Sequence, residues 1–150
     1  MTYEQSTGLW KSGDGKVLAK CYSGAGVGKN NPAYESVIDM GPVPIGWYTL
    51  QEPEYVKPGE TSEHGPYVIP LTPDPGNTMH GRRGFLVHGD NLHAPGTASE
   101  GCVIPLSGRV DGEVTLYGRM LREALWAHGA AEGQKLQVVA GPVPVPVVVS

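Results

Sequence analysis

Short apolar runs separated by glycine- and proline-rich turns set the pattern of this chain. Leu9 and Trp10 begin one run, Ser12-Gly13-Asp14-Gly15 is a turn, and Val17 to Tyr22 returns, which predicts a β-hairpin. Trp47-Tyr48-Thr49-Leu50, rich in aromatic and β-branched residues, predicts a strand after the stiff segment Gly41-Pro42-Val43-Pro44-Ile45-Gly46. Tyr67 to Leu71 predicts another, ended by the turn cluster Thr72 to Asn77, and Lys135 to Ala140 reads as the last. Phe85-Leu86-Val87-His88 and Cys102-Val103-Ile104 are apolar segments flanking a loop from Asp90 to Glu100, while Glu52 to Gly65 is polar and reads as loop. One stretch carries a helical period: Asp111 to His128 places Val114, Tyr117, Leu121 and Leu125 on one face, with Gly129 as its stop. The expectation is a mainly β domain with one α-helix and roughly seven or eight short strands.

Composition narrows this picture. The 22 glycines and 14 prolines argue against a helical bundle, and 39% apolar with 17% charged residues argues for a globular chain. No repeat or composition break divides residues 1–150, so a single domain is expected. The net charge of −4, with lysines and arginines scattered apart from Arg82-Arg83, supplies neither the basic stripe of a nucleic-acid binder nor a polybasic membrane segment. No run approaches the roughly 18 apolar residues of a membrane span. The N-terminus lacks the basic head and apolar stretch of a secretory signal, so the chain is expected to be made in the cytoplasm without one. The tail from Gly141 to Ser150 reads as an edge strand or a disordered end.

The Gly- and Asn-rich loop from Ser23 to Pro32 lacks the order of a phosphate-binding loop. No CxxC or HExxH pattern appears, so no metal or cofactor is expected. The two cysteines, Cys21 and Cys102, allow one disulfide that their spacing does not demand. Cys21, in an apolar strand, reads as a small buried hydrophobe.

The chemistry is concentrated between Arg82 and Leu106. His88 and Cys102 lie fourteen positions apart, at the ends of a strand-loop-strand that can set them side by side. A thiol becomes a nucleophile as its thiolate, and a nearby imidazole can take the proton, which would place the apparent pKa of Cys102 below the ~8.5 of a free thiol. The imidazole needs a second contact to fix its tautomer: a backbone carbonyl such as that of Gly89, or the Asp90 side chain. Gly101 allows a tight turn, and the N–H groups of Gly101 and Cys102 would face a developing oxyanion. His93 is a rival base on reach alone. His64, His80 and His128 read as solvated, and Trp10, Trp47 and Trp126 as core or edge aromatics. With five histidines and two cysteines, residue types alone leave the pairing open.

Phe-Leu-Val-His-Gly followed by Ser-Glu-Gly-Cys-Val-Ile resembles the active-site signature of the L,D-transpeptidases. The chain is most similar to the short type VI secretion effectors with an L,D-transpeptidase-like domain. Further segments that match these in order are Tyr22-Ser23-Gly24, Asn30-Asn31-Pro32, Gly41 to Tyr48, and an arginine just before the His-Gly strand. The resemblance implies an L,D-transpeptidase-like β-sandwich or barrel and a cysteine acyltransferase or hydrolase. Cys102 would be the nucleophile and His88 the base; Gly101 would shape the oxyanion site, Ser99 would support the cysteine loop, and Arg82 or Arg83 would hold a substrate carboxylate. The implied substrate is the tetrapeptide stem of peptidoglycan. Cys102 would attack the third residue's carbonyl and expel D-alanine; water or a D-amino acid would then complete carboxypeptidase or exchange chemistry. Implied partners are a secretion-apparatus carrier and a cognate immunity protein, with delivery to the periplasm of a target bacterium. The chain departs from many transpeptidases in having Glu100 where they have His, and Ile104 where they have Arg. Two other readings are a housekeeping cross-linking L,D-transpeptidase and a non-catalytic peptidoglycan-binding or secretion-apparatus module.

Overall fold

Alternation along the strands decides which face each one buries. In β10 (Lys135–Val139), Leu136 and Val138 are buried between the half-buried Lys135, Gln137 and Val139. The same period sinks Tyr3 in β1 (Thr2–Glu4) and Trp10 in β2 (Leu9–Lys11). The computed structural model describes residues 1–55, 67–90, 94–110, 113–115 and 118–143. Its other elements are β3 (Val17–Ser23), β4 (Gly46–Leu50), β5 (Glu54–Tyr55), β6 (Tyr67–Pro73), β7 (Leu86–Val87), β8 (Val103–Val110), β9 (Glu113–Thr115) and α1 (Gly118–Ala131).

Eight strands follow one another in the order β3-β2-β1-β10-β4-β6-β7-β8, and pairing of β3 with β8 closes the ring into a barrel. Closure leaves no open edge on these strands. β9 forms a hairpin with β8, and β5 pairs with β6 off the ring. Two pairings are parallel, β1 with β10 and β7 with β8. The second matters most, because the chain leaves β7 at one end of the site and re-enters it at β8. Trp10, Tyr3 and Tyr48 are the largest fully buried side chains, and Tyr3 meets Trp10 edge-on at 6.4 Å. α1 packs on β6 and β8 with Leu121 and Leu125, one turn apart, fully buried.

The mainly β fold with a single helix is as expected, with differences of detail. The helix starts at Gly118, not Asp111, because Glu113–Thr115 pairs with β8 instead. Val114 is therefore a strand residue opposite Arg109, and Tyr117 lies outside the described residues. Gly129 does not stop the helix, which runs on to Ala131. It is a point of close approach: a Cβ there would sit 3.0 Å from Met1 Cε and 3.3 Å from Leu50 Cδ2. β1 and β5 are strands that the local pattern did not announce. Residues 141–143 are not in a strand, and 144–150 lie outside the described residues. Among the described residues no helix is long and apolar enough to cross a membrane.

Candidate active site

The site grows from the β7–β8 pair. Val87 lies opposite Val103, and both are fully buried in the core. His88 follows the first and Cys102 precedes the second, so both leave the core-facing register, and both line one cavity of about 510 Å³. The backbone N–H of His88 donates to the Val103 carbonyl at 3.2 Å, which ties the histidine to the start of β8.

The His88 ring is 1% exposed, and its Nδ1 lies 2.8 Å from the Gly89 carbonyl oxygen. A carbonyl can only accept, so Nδ1 carries the proton and Nε2 carries the basic lone pair. Of the two orienting contacts allowed by the sequence, this geometry supplies the Gly89 carbonyl. The Asp90 carboxylate accepts from Tyr22 Oη at 2.6 Å and from the Gly96 N–H at 3.0 Å, closing the loop that joins the two strands. Burial, then that bond to Asp90, pushes the Tyr22 phenol well above its ordinary range, so it stays a donor. Lys29 adds to this anchor, its ammonium 4.7 Å above the Tyr22 ring and 2.6 Å from the Gly96 carbonyl.

Cys102 is half-buried, and Cys21 is buried; both thiols are free, which removes the disulfide alternative. The Leu86 N–H points at Cys102 Sγ from 3.4 Å. Burial pushes the Cys102 thiol up; the Leu86 N–H and Arg82 draw it down, and Glu100 adds to the rise. This direction is opposite to the lowered value expected from the sequence.

The turn before Cys102 is held by side chains. Ser99 Oγ accepts from the N–H groups of Gly24 at 2.9 Å and Gly101 at 3.1 Å, and donates to the Cys102 carbonyl at 2.6 Å. The Gly101 N–H is thus committed to Ser99, which leaves the Cys102 N–H of the two amides expected to face an oxyanion. Ser23 Oγ reaches the Gly101 carbonyl at 2.9 Å and accepts from the Val43 N–H at 2.8 Å. Gly101 has φ +138°, a conformation that L side chains rarely adopt.

Arg82 and Arg83 have opposite fates. The Arg82 side chain is buried over Phe85 and donates to four carbonyls: Glu35 and Pro42 through Nη1, Gly41 and Glu100 through Nη2. Those contacts occupy the fork that would otherwise hold a carboxylate, so Arg82 ties the proline segment to the nucleophile loop. Arg83 is exposed and lines the cavity with Asp39 and Glu100. His93 and His64 lie outside the described residues. His80 and His128 pair with Glu35 and Glu132 away from the cavity. Among the described residues no three metal-ligating side chains converge.

Four residues with a part in this geometry, Tyr22, Ser23, Lys29 and Arg122, were not singled out as chemistry in the sequence. Tyr22 has a local signal only as part of the Tyr-Ser-Gly segment. Arg122 of α1, buried with its guanidinium against Gly89, has none, because on a helix it reads as one more surface charge.

A closed, mainly β barrel with one helix, whose neighbouring strands β7 and β8 are flanked by a histidine and a cysteine that line one cavity, fits a domain of the L,D-transpeptidase type. The chain belongs to the Tlde1 domain family, whose model matches residues 18–119. This is an L,D-transpeptidase-like effector domain of type VI secretion with peptidoglycan-related activity. Comparison with curated proteins and with solved structures returned no match.

Proposed function

We propose that the chain is one catalytic domain, a cysteine-dependent enzyme of peptidoglycan tetrapeptide stems that acts as an antibacterial effector in the periplasm of a target cell. One observation carries the reading: the proton on His88 Nδ1 is committed to the Gly89 carbonyl, so Nε2 is the basic nitrogen, and this imidazole lines the same cavity as the Cys102 thiol. Nε2 takes the thiol proton as Sγ attacks the carbonyl of the third stem residue. Burial of Cys102 disfavours a resting thiolate, which supports transfer during attack over transfer before it. The Cys102 N–H faces the developing oxyanion. Collapse breaks the amide bond, and Nε2 returns the proton to the departing D-alanine amine, leaving a thioester. Water, its proton taken by Nε2, then releases a tripeptide and the thiol; a D-amino acid amine in place of water gives exchange. Arg83, the exposed cation of the cavity, holds the substrate carboxylate in the role that Arg82 cannot fill. A carrier in the secretion apparatus and an immunity protein in the producing cell complete the proposal.

Disaccharide-tetrapeptide muropeptides, incubated with and without D-methionine and followed by mass, test it. A tripeptide means carboxypeptidase, a D-methionine tetrapeptide means exchange, and dimers mean cross-linking. Cys102→Ala and His88→Ala are expected to abolish turnover. Continued turnover by Cys102→Ala ends the proposal. Absence of any product, with wall binding intact in that variant, favours a binding module.

A further inference from the structure

Arg122 of α1 is charged yet only 2% exposed. Among the described residues, its guanidinium makes one hydrogen bond, from Nε to the Tyr67 carbonyl at 2.6 Å, and pairs with no carboxylate. Its other edge is pressed against the residue after the histidine: a Cβ built on Gly89 would lie 3.2 Å from Nη1, 3.4 Å from Nη2 and 3.6 Å from Cζ. Burial pulls the Arg122 pKa down, as expected for a cation held away from water.

The register explains why it sits there. β6 and β7 run antiparallel, with the Leu71 N–H donating to the Phe85 carbonyl at 3.0 Å and Ile69 opposite Val87. Continued by one more hydrogen-bonded pair, the same ladder would set Gly89 opposite Tyr67, with the Gly89 N–H aimed at the Tyr67 carbonyl. β7 instead ends at Val87, and Arg122 Nε takes that carbonyl. A methionine would fill a similar length without burying a charge. It lacks the planar fork, one edge of which meets Tyr67 while the rest lies on bare Gly89 backbone.

We infer that Arg122 is a positioning residue for the base: wedged between Tyr67 and Gly89, it peels the His88-Gly89 step off β6 and holds the Gly89 carbonyl where His88 Nδ1 donates to it. This rests on the proposed role of His88, but its first readout does not require turnover. Nitrogen NMR of the imidazole, assigned by its loss in His88→Gln, reports the tautomer directly. The wild-type chain is expected to show Nδ1–H alone, and folded Arg122→Gln and Arg122→Lys a mixture of tautomers, since neither presents the fork. In the muropeptide assay kcat is expected to fall by about 10²-fold, the scale of a slightly misplaced catalytic group, with KM little changed. Should the arginine variants fold poorly, Gly89→Ala presses on the same contact from the other side and is expected to mix the tautomers too. An unchanged tautomer in the folded variants overturns the inference. So does a rise in KM with kcat intact, which would make Arg122 an anion-binding residue. A wild-type chain with no turnover but the Arg122-dependent tautomer would refute the enzyme reading alone.

Discussion

Gly101 leaves open the space that Arg82 occupies: a Cβ at residue 101 would come 2.5 Å from Arg82 Nη2 and 2.9 Å from Phe85 Cε1. The arginine that grips the carbonyls of Gly41 and Glu100 therefore requires a bare backbone beside the nucleophile. Gly101→Ala meets both this clash and a φ of +138°. Strain of that kind costs about 1–3 kcal/mol before any displacement of Arg82. The expected outcome is a stability loss of at least about 2 kcal/mol in urea denaturation, with turnover lost even where the protein remains folded. Arg82→Met leaves buried carbonyls without a donor, at about 1–3 kcal/mol for each that stays dry. It is expected to unfold at clearly lower urea. A fully stable Arg82→Met with a raised KM would return the carboxylate-binding role to Arg82.

Arg83, exposed at the mouth of the cavity, gives the opposite signature. On the proposed role its replacement would remove a charge-assisted contact to substrate, and among the described residues it makes no hydrogen bond or ion pair that would be lost. Such contacts are worth about 1.5–3 kcal/mol, so Arg83→Gln is expected to raise KM by roughly tenfold or more. The melting temperature should stay within about a degree, as for most surface substitutions. Steady-state kinetics on a tetrapeptide and on its C-terminal amide would show the effect for the acid alone. Equal losses on both substrates would remove Arg83 from carboxylate recognition.

The hairpin was legible because Ser12 to Gly15 can do little but turn, and β10 because Leu136 and Val138 alternate with Lys135 and Gln137. The helix start was not. Val114 satisfies a helical period with Leu121 and Leu125, but its conformation is set by pairing with Arg109 across a hairpin. β1 is only three residues long, and its strand character comes from a parallel partner near the other end of the chain. That Cys102 and His88 belong together was suggested only by the order of several family segments, since composition left it ambiguous; the structure places both on one cavity. Arg82 and Arg83 look alike in sequence; long-range carbonyls at Glu35, Gly41, Pro42 and Glu100 divide them.

Glu132 joins the chain's start to the end of α1. Its carboxylate accepts from the Gly13 N–H at 2.8 Å, lies 3.5 Å from the Met1 ammonium, and pairs with His128. Burial opposes ionisation, but the bonds from His128 and Gly13 and the N-terminal charge together hold its pKa below the ordinary carboxylate range. A depressed pKa contributes stability above the unfolded carboxyl's value of ~4.3, which is lost as pH falls through the folded value. Glu132→Gln is expected to cost about 1 kcal/mol at pH 7, allowing for solvent screening. That difference should vanish once both chains are measured well below the folded pKa. A constant difference across that range would make the loss one of packing.

Cys102 offers the sharpest test of how its thiol is activated. Burial is the largest influence on it and raises its pKa; the Leu86 N–H and Arg82 oppose this without reversing it. Alkylation by iodoacetamide needs the thiolate, so its rate should climb with pH and reach half its maximum above the ~8.5 of a free thiol. Turnover should behave differently. If Nε2 of His88 takes the proton during attack, kcat/KM should rise with deprotonation of the imidazole and level off before the thiol titrates. His88→Ala should then leave the alkylation curve nearly in place while abolishing turnover. A resting ion pair would give the reverse pattern: alkylation already fast near pH 7 and its midpoint driven upward in His88→Ala.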